Sequence, residues 1–157
     1  GEQVFIDGWN DLNTTQTIDR VMSIINPLMS QIVSITTETN SIGKPYTDLL
    51  TERLSPQHRN KVQGFTTSNS SKGDLVSDLQ VAFQEHKITV LDDDKLLRQL
   101  MAYAAEYNPK TKNVTYNAPR GLHDDRVMSL MLSYHGYKQR QATGVYSIGN
   151  SRMSRKL

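Results

Sequence analysis

The sequence predicts an α/β domain, and three observations predict it. Short runs rich in β-branched residues alternate with stretches whose apolar residues recur every three or four positions. Polar, Gly, Ser and Asn-Pro punctuation separates them, with no internal repeat and no linker-like stretch. The 157 residues are enough for one compact domain with a single core.

Residues 3–9, QVFIDGW, are β-prone and read as the first strand. Asn13, Thr14 and Thr15 supply a helix start. Ile18, Val21, Met22, Ile25, Leu28 and Met29 then fall on one helical face, with Pro27 ending or kinking the last turn. The β-branched segment 31–37 reads as a second strand, with Glu38 at its end. A short helix is expected from Lys44, presenting Tyr46, Leu49, Leu50 and Leu54. Residues 61–67 read as a third strand and 68–73 as a polar loop. Asp74 opens a helix carrying Leu75, Val76, Leu79, Ala82 and Phe83.

Residues 87–91 form a fourth short strand. Asp92, Asp93 and Asp94 stand at the next helix start, where carboxylates are favoured by the dipole. The periodicity of Leu96, Leu97, Leu100, Met101, Ala104 and Tyr107 carries that helix as far as Asn108-Pro109. Residues 113–117 read as a strand or hairpin arm. After Gly121 a last helix begins near His123 and presents Val127, Met128, Leu130, Met131 and Tyr134.

Composition removes several classes of function. With no cysteine there is no disulfide scaffold, thiolate zinc site or Cys nucleophile. No apolar run approaches the roughly 18–20 residues of a membrane span, and the N-terminus lacks the layout of a signal peptide. The net charge of +2 is unevenly spread. Lys138, Arg140, Arg152, Arg155 and Lys156 face no acid within residues 138–157. Without these five cations, residues 1–137 stand at −3. The division is therefore a domain over 1–137 and a basic, flexible tail over 138–157. The tail is either a phosphate-binding extension or a solvated terminus. Gly1 reads as a cloning remnant, which makes an excised domain the expectation.

The carboxylates carry what chemistry the pattern suggests. Glu38 ends a buried strand, where ligands of open α/β sheets gather. Asp124 and Asp125 open a helix whose N-terminus favours negative charge. Oxygen ligands without thiolates suit Mg²⁺ or Mn²⁺ rather than zinc. By pattern alone, however, a solvated loop residue is the better account of Glu38, and capping is the better account of Asp124-Asp125 and of the three acids at 92–94. The four histidines show no i, i+4 ligand pairing.

A set of ordered motifs adds a resemblance. His123-Asp124-Asp125 followed by the apolar helix RVMSLML resembles the His-Asp-Asp element that closes the nuclease domain of phage terminase large subunits. Glu38-x-Asn40-x-x-Gly43 and Ser71-Lys72 before a helix are similar to two further elements of that family, in the same order. The resemblance covers roughly residues 3–137. It implies an RNase H-like mixed sheet flanked by helices, truncated at its N-terminus.

The resemblance also implies an activity, a metal-dependent endonuclease that hydrolyses phosphodiester bonds of concatemeric double-stranded DNA during viral packaging. Glu38, Asp124 and Asp125 are its implied catalytic and metal-binding residues, with Asp125 the preferred ligand. Lys72, Asn40 and His123 are implied DNA-binding or auxiliary residues, and the implied cofactor is Mg²⁺ or Mn²⁺, as two ions. The family's first-strand Asp has no counterpart upstream of Glu38. The first two strands are therefore expected to be missing and the chain alone to be inactive, unless Asp7 or Asp11 substitutes. Exposed sheet edges then suggest a homodimer. The other implied partners are the terminase ATPase domain, the small terminase subunit and the portal, in the cytoplasm of a bacterial host and without a membrane. The alternative is a non-catalytic RNase H-like module for DNA binding or motor docking. No phosphate-binding G-x-x-x-x-G-K-S/T loop is present, so ATP hydrolysis is not expected.

Overall fold

The computed structural model describes residues 1–40, 43–109, 113–119 and 123–153. Gly121 and Leu122, at the head of the motif segment, and the tail's Arg155 and Lys156 lie outside the described residues. The first helix, α1 (Thr14–Ile25), starts at a reciprocal cap. Asn13 accepts from the Gln16 backbone N–H, and the Gln16 side chain accepts from the Asn13 N–H. A 3-10 turn, Asn26–Leu28, continues it through Pro27.

Strand β1 (Ile35–Glu38) is followed by α2 (Gly43–Arg53), β2 (Val62–Phe65) and α3 (Asn69–Gln84). β1 and β2 pair in parallel, with Ile35 opposite Val62 and Glu38 opposite Phe65. α4 (Asp94–Ala102) leads into β3 (Ala104–Asn108), which pairs antiparallel with β4 (Asn113–Asn117). The final helix, α5 (Asp125–Met153), stays helical past Gly136 and through most of the expected tail. No helix among the described residues is long and apolar enough to cross a membrane.

The core lies where α3, α4 and α5 meet. Leu75, Leu79, Leu96, Val127 and Met131 are almost wholly buried there. Each such side chain contributes roughly 1.5–3 kcal/mol relative to exposure. α5 also crosses β1 at Gly136, which is buried. A Cβ there would stand 2.8 Å from Thr36 Oγ1 and 3.1 Å from Ser34 Oγ, so any larger residue would have to displace these hydroxyls.

Three expectations need correction. Residues 3–9 and 87–91 form no strands. One parallel bridge joins Glu2, just before the first segment, to Thr89 in the second. The Gln3 side chain takes the Leu91 N–H that a longer ladder would have used, and Val4 and Phe5 remain exposed. The helix expected to reach Tyr107 stops at Ala102. Tyr103 turns to extended backbone, and pairing with β4 overrides the helical period beyond it. The polar loop 68–73 is largely helix, because Ser68 and Ser71 form a reciprocal cap and α3 begins at Asn69. Strand pairing among the described residues comprises one parallel pair and one antiparallel pair.

Candidate functional site

The site is built at the C-terminal end of the parallel pair. Glu38 is the last residue of β1. Two residues later, the Asn40 amide bridges to the chain leaving β2. Its Nδ2 donates to Thr67 O at 2.6 Å, and its Oδ1 accepts from Thr67 N at 2.8 Å. Asn40 thus extends the pairing by one side-chain rung and locks the two strand ends together. Both of its polar ends are committed to main chain.

Gly43 completes this corner. Its N–H donates to Asn40 O at 2.7 Å. A Cβ on Gly43 would sit 2.1 Å from Glu38 O, far inside contact distance. The spacing Glu38-x-Asn40-x-x-Gly43 therefore has a physical reason. The asparagine ties the strand ends, and the glycine lets α2 begin directly behind the glutamate.

The Ser68–Ser71 cap places Lys72 in the first turn of α3, not in a mobile loop. From there its ammonium reaches Asp124 Oδ2 at 3.1 Å and Asn117 Oδ1 at 3.1 Å. It also lies 5.6 Å from the centre of the Tyr103 ring, within cation–π range. The lysine side chain is 15% exposed and that of Asp124 27%. Burial, reinforced by the negative charge of Asp124, pushes the Tyr103 hydroxyl well above its usual range.

Asp124 and Asp125 come from the start of α5. Asp125 is an acid of its first turn and is 86% exposed. His123 is 84% exposed, with Nδ1 3.8 Å from Asp125 Oδ2. The first free N–H groups of α5 are not capped by these acids. The Gln99 side chain, projecting from α4, accepts from Arg126 N at 2.9 Å and Val127 N at 3.4 Å. The Arg126 guanidinium returns to Asp93, the N-cap of α4, at 3.0 Å.

Glu38, Lys72, Asp124 and Asp125 line one cleft of about 310 Å³, together with Thr36 and Thr67. Neither Asn40 nor His123 is among the residues that line it. Thr67 Oγ1 is buried and has no hydrogen-bond partner among the described residues. Asp7 belongs elsewhere. It sits on a larger, mostly apolar groove of about 580 Å³ and is paired to Arg20 at 2.8 Å. The Arg20 guanidinium, helped by the Gly8 N–H, holds the Asp7 carboxyl below the usual carboxylate range.

The oxygen donors of the cleft, carboxylates and hydroxyls, match a hard divalent cation in chemistry. Among the described residues no group of three or more His, Asp or Glu side chains converges to hold a metal ion. Mg²⁺ is commonly held by one or two carboxylates, with waters completing its shell, so two acids in reach are sufficient in kind. Sequence reasoning missed Gln99, Arg126 and Thr67. The only sign of Gln99 was its position three residues after Leu96, beside the apolar face.

No known family model matches the chain, and no curated protein matches its sequence. Solved structures do match. The large terminase nuclease from thermophilic phage G20c aligns at 20% identity with a TM-score of 0.65, covering 81% of this chain and 64% of that one. The same nuclease with bound cobalt aligns at 20% identity and a TM-score of 0.68, with the same coverage. With bound magnesium the values are 23% and 0.64, covering 80% of this chain and 63% of that one. The chain thus spans less than two thirds of the solved nucleases that it matches, and its fold is that of the large terminase nuclease from phage G20c.

Proposed function

We propose that the cleft is the nuclease site of a viral DNA-packaging terminase large subunit, which hydrolyses phosphodiester bonds of concatemeric double-stranded DNA with Mg²⁺ or Mn²⁺. The observation that carries this function is the gathering of Glu38, Asp124 and Asp125 on one cleft from distant parts of the chain. Magnesium and cobalt bound to the matching nuclease support a divalent ion as cofactor.

Glu38 and Asp125 would hold the ion, with Asp124 shared between it and Lys72. When bound, such an ion supplies Lewis acidity toward a phosphoryl oxygen and lowers the pKa of a water ligand. The chain's own groups do the rest. Asn40 and Gly43 fix the backbone of Glu38. Lys72 offsets the negative charge where a phosphate would approach. The cations of α5 and the tail add salt-sensitive, sequence-independent attraction for DNA.

A second function is a DNA-binding or docking module without cleavage. It is favoured by the ion pair that occupies Asp124 and by the absence of a three-acid cluster among the described residues. Plasmid nicking in Mn²⁺ separates the two. Cleavage by the full-length nuclease domain that is lost in both Glu38→Ala and Asp125→Ala supports the nuclease. Cleavage that persists in both variants removes the site assignment, and DNA binding without cleavage by the full-length domain supports the module.

A further inference from the structure

We infer that Gln99 is a positioning residue for the cleft, because it caps α5 from outside and so releases the Asp124 and Asp125 carboxylates from that duty. The inference rests on the cation-binding function proposed above and adds how the acids are presented. An acid at a helix start ordinarily folds back to accept the unpaired N–H groups of the first turn. His123-Asp124-Asp125 has the sequence of such a self-capping start. In the structure two of those N–H groups, on Arg126 and Val127, are bonded to the Gln99 side-chain oxygen.

Asp124 keeps only its backbone role, its carbonyl accepting from Met128 N at 2.8 Å. Its carboxylate turns instead to Lys72 at 3.1 Å, and both side chains line the cleft. The helix that carries Gln99 is itself anchored. Leu96 beside it is fully buried, and at the far end of α4 the Arg126–Asp93 pair fastens the same two helices a second time. The two helices are cross-capped, with an α4 side chain on the α5 backbone and an α5 side chain on the α4 N-cap residue. That arrangement fixes the direction of α5 at the residue where the carboxylates emerge.

A neutral amide suits this task. It satisfies the N–H groups without adding a third negative charge beside two acids. A carboxylate at position 99 would satisfy the same N–H groups, whereas a thioether of equal length would not.

The test uses the full chain as wild type, Gln99→Met and Gln99→Glu, with Glu38→Ala as a control on the cation site. Mn²⁺ affinity is measured by calorimetry, and a crystal structure of Gln99→Met shows where Asp124 goes. Gln99→Met should bind Mn²⁺ roughly 10- to 100-fold more weakly, the usual cost of removing a group that orients ligands. Gln99→Glu should stay within a few-fold of wild type. In Gln99→Met the Asp124 carboxylate should leave Lys72 and accept from the α5 N–H groups. If it stays on Lys72 in the metal-free crystal, the inference is overturned, whatever the affinity. If the wild type binds no Mn²⁺, or Glu38→Ala binds as tightly as wild type, the proposed cation site fails. The position of Asp124 in Gln99→Met then decides the capping inference by itself.

Discussion

Lys72 and Asp124 stand 52 residues apart in sequence and meet at 3.1 Å, with neither side chain much exposed. The pair joins the first turn of α3 to the residue before α5. Removing the lysine would leave the partly shielded Asp124 carboxylate without its cation. Lys72→Met should therefore cost about 1–2 kcal/mol, measured by urea unfolding at neutral pH. A change below about 0.5 kcal/mol would place the pair among screened surface contacts.

Gly43 offers the sharpest steric test. Alanine at this position would drive a methyl group into the Glu38 carbonyl, which is backbone and cannot rotate away. Gly43→Ala should destabilise the fold by about 3 kcal/mol, or displace the end of β1. Thermal unfolding indistinguishable from wild type would show that α2 does not begin directly behind Glu38.

Asp7 gives a pH signature. Its folded-state pKa is lowered, chiefly by Arg20, from an ordinary value of 3.8. A lowered carboxylate pKa stabilises the fold above the unfolded pKa, and this is lost as pH falls through the folded pKa. Wild type should therefore melt above Asp7→Asn at pH 7. The gap should narrow below about pH 4 and close on further acidification. A gap that is constant from pH 7 to pH 2 would assign the effect to something other than ionisation.

The basic end of the chain predicts a salt effect. Replacing Arg152, Arg155 and Lys156 by glutamine should weaken DNA binding and flatten its salt dependence. The slope of log affinity against log salt should fall by about 0.9 for each phosphate that these cations neutralise in the wild type. An unchanged slope would exclude these three cations from the DNA interface.

Local chemistry explains which features were legible in the sequence. Asn13 and Gln16 cap α1 within one turn, and apolar periodicity marks the buried face of α5. Glu38, Lys72, Asp124 and Asp125 stood out because they fall in ordered motifs, and the structure brings all four to one cleft. The α/β class followed from the alternation of short β-branched runs with amphipathic segments.

Other features belong to the tertiary structure. Periodicity extends α4 to Tyr107, but β4 takes the backbone of residues 104–108 for a hairpin. The segment 3–9 has the composition of a strand, yet it forms no ladder: the bridge to Thr89 falls on Glu2, and the Gln3 side chain takes the Leu91 N–H. His123-Asp124-Asp125 reads by itself as a cap. Its carboxylates are released because Gln99, 27 residues before Arg126, supplies the cap from another helix. Sequence patterns report interactions within about one helical turn or one strand repeat. Contacts between distant residues form only after loop closure, when packing has already chosen the neighbours. The sequence by itself therefore determined which residues could act, and only the tertiary structure decided which of them are turned to the cleft.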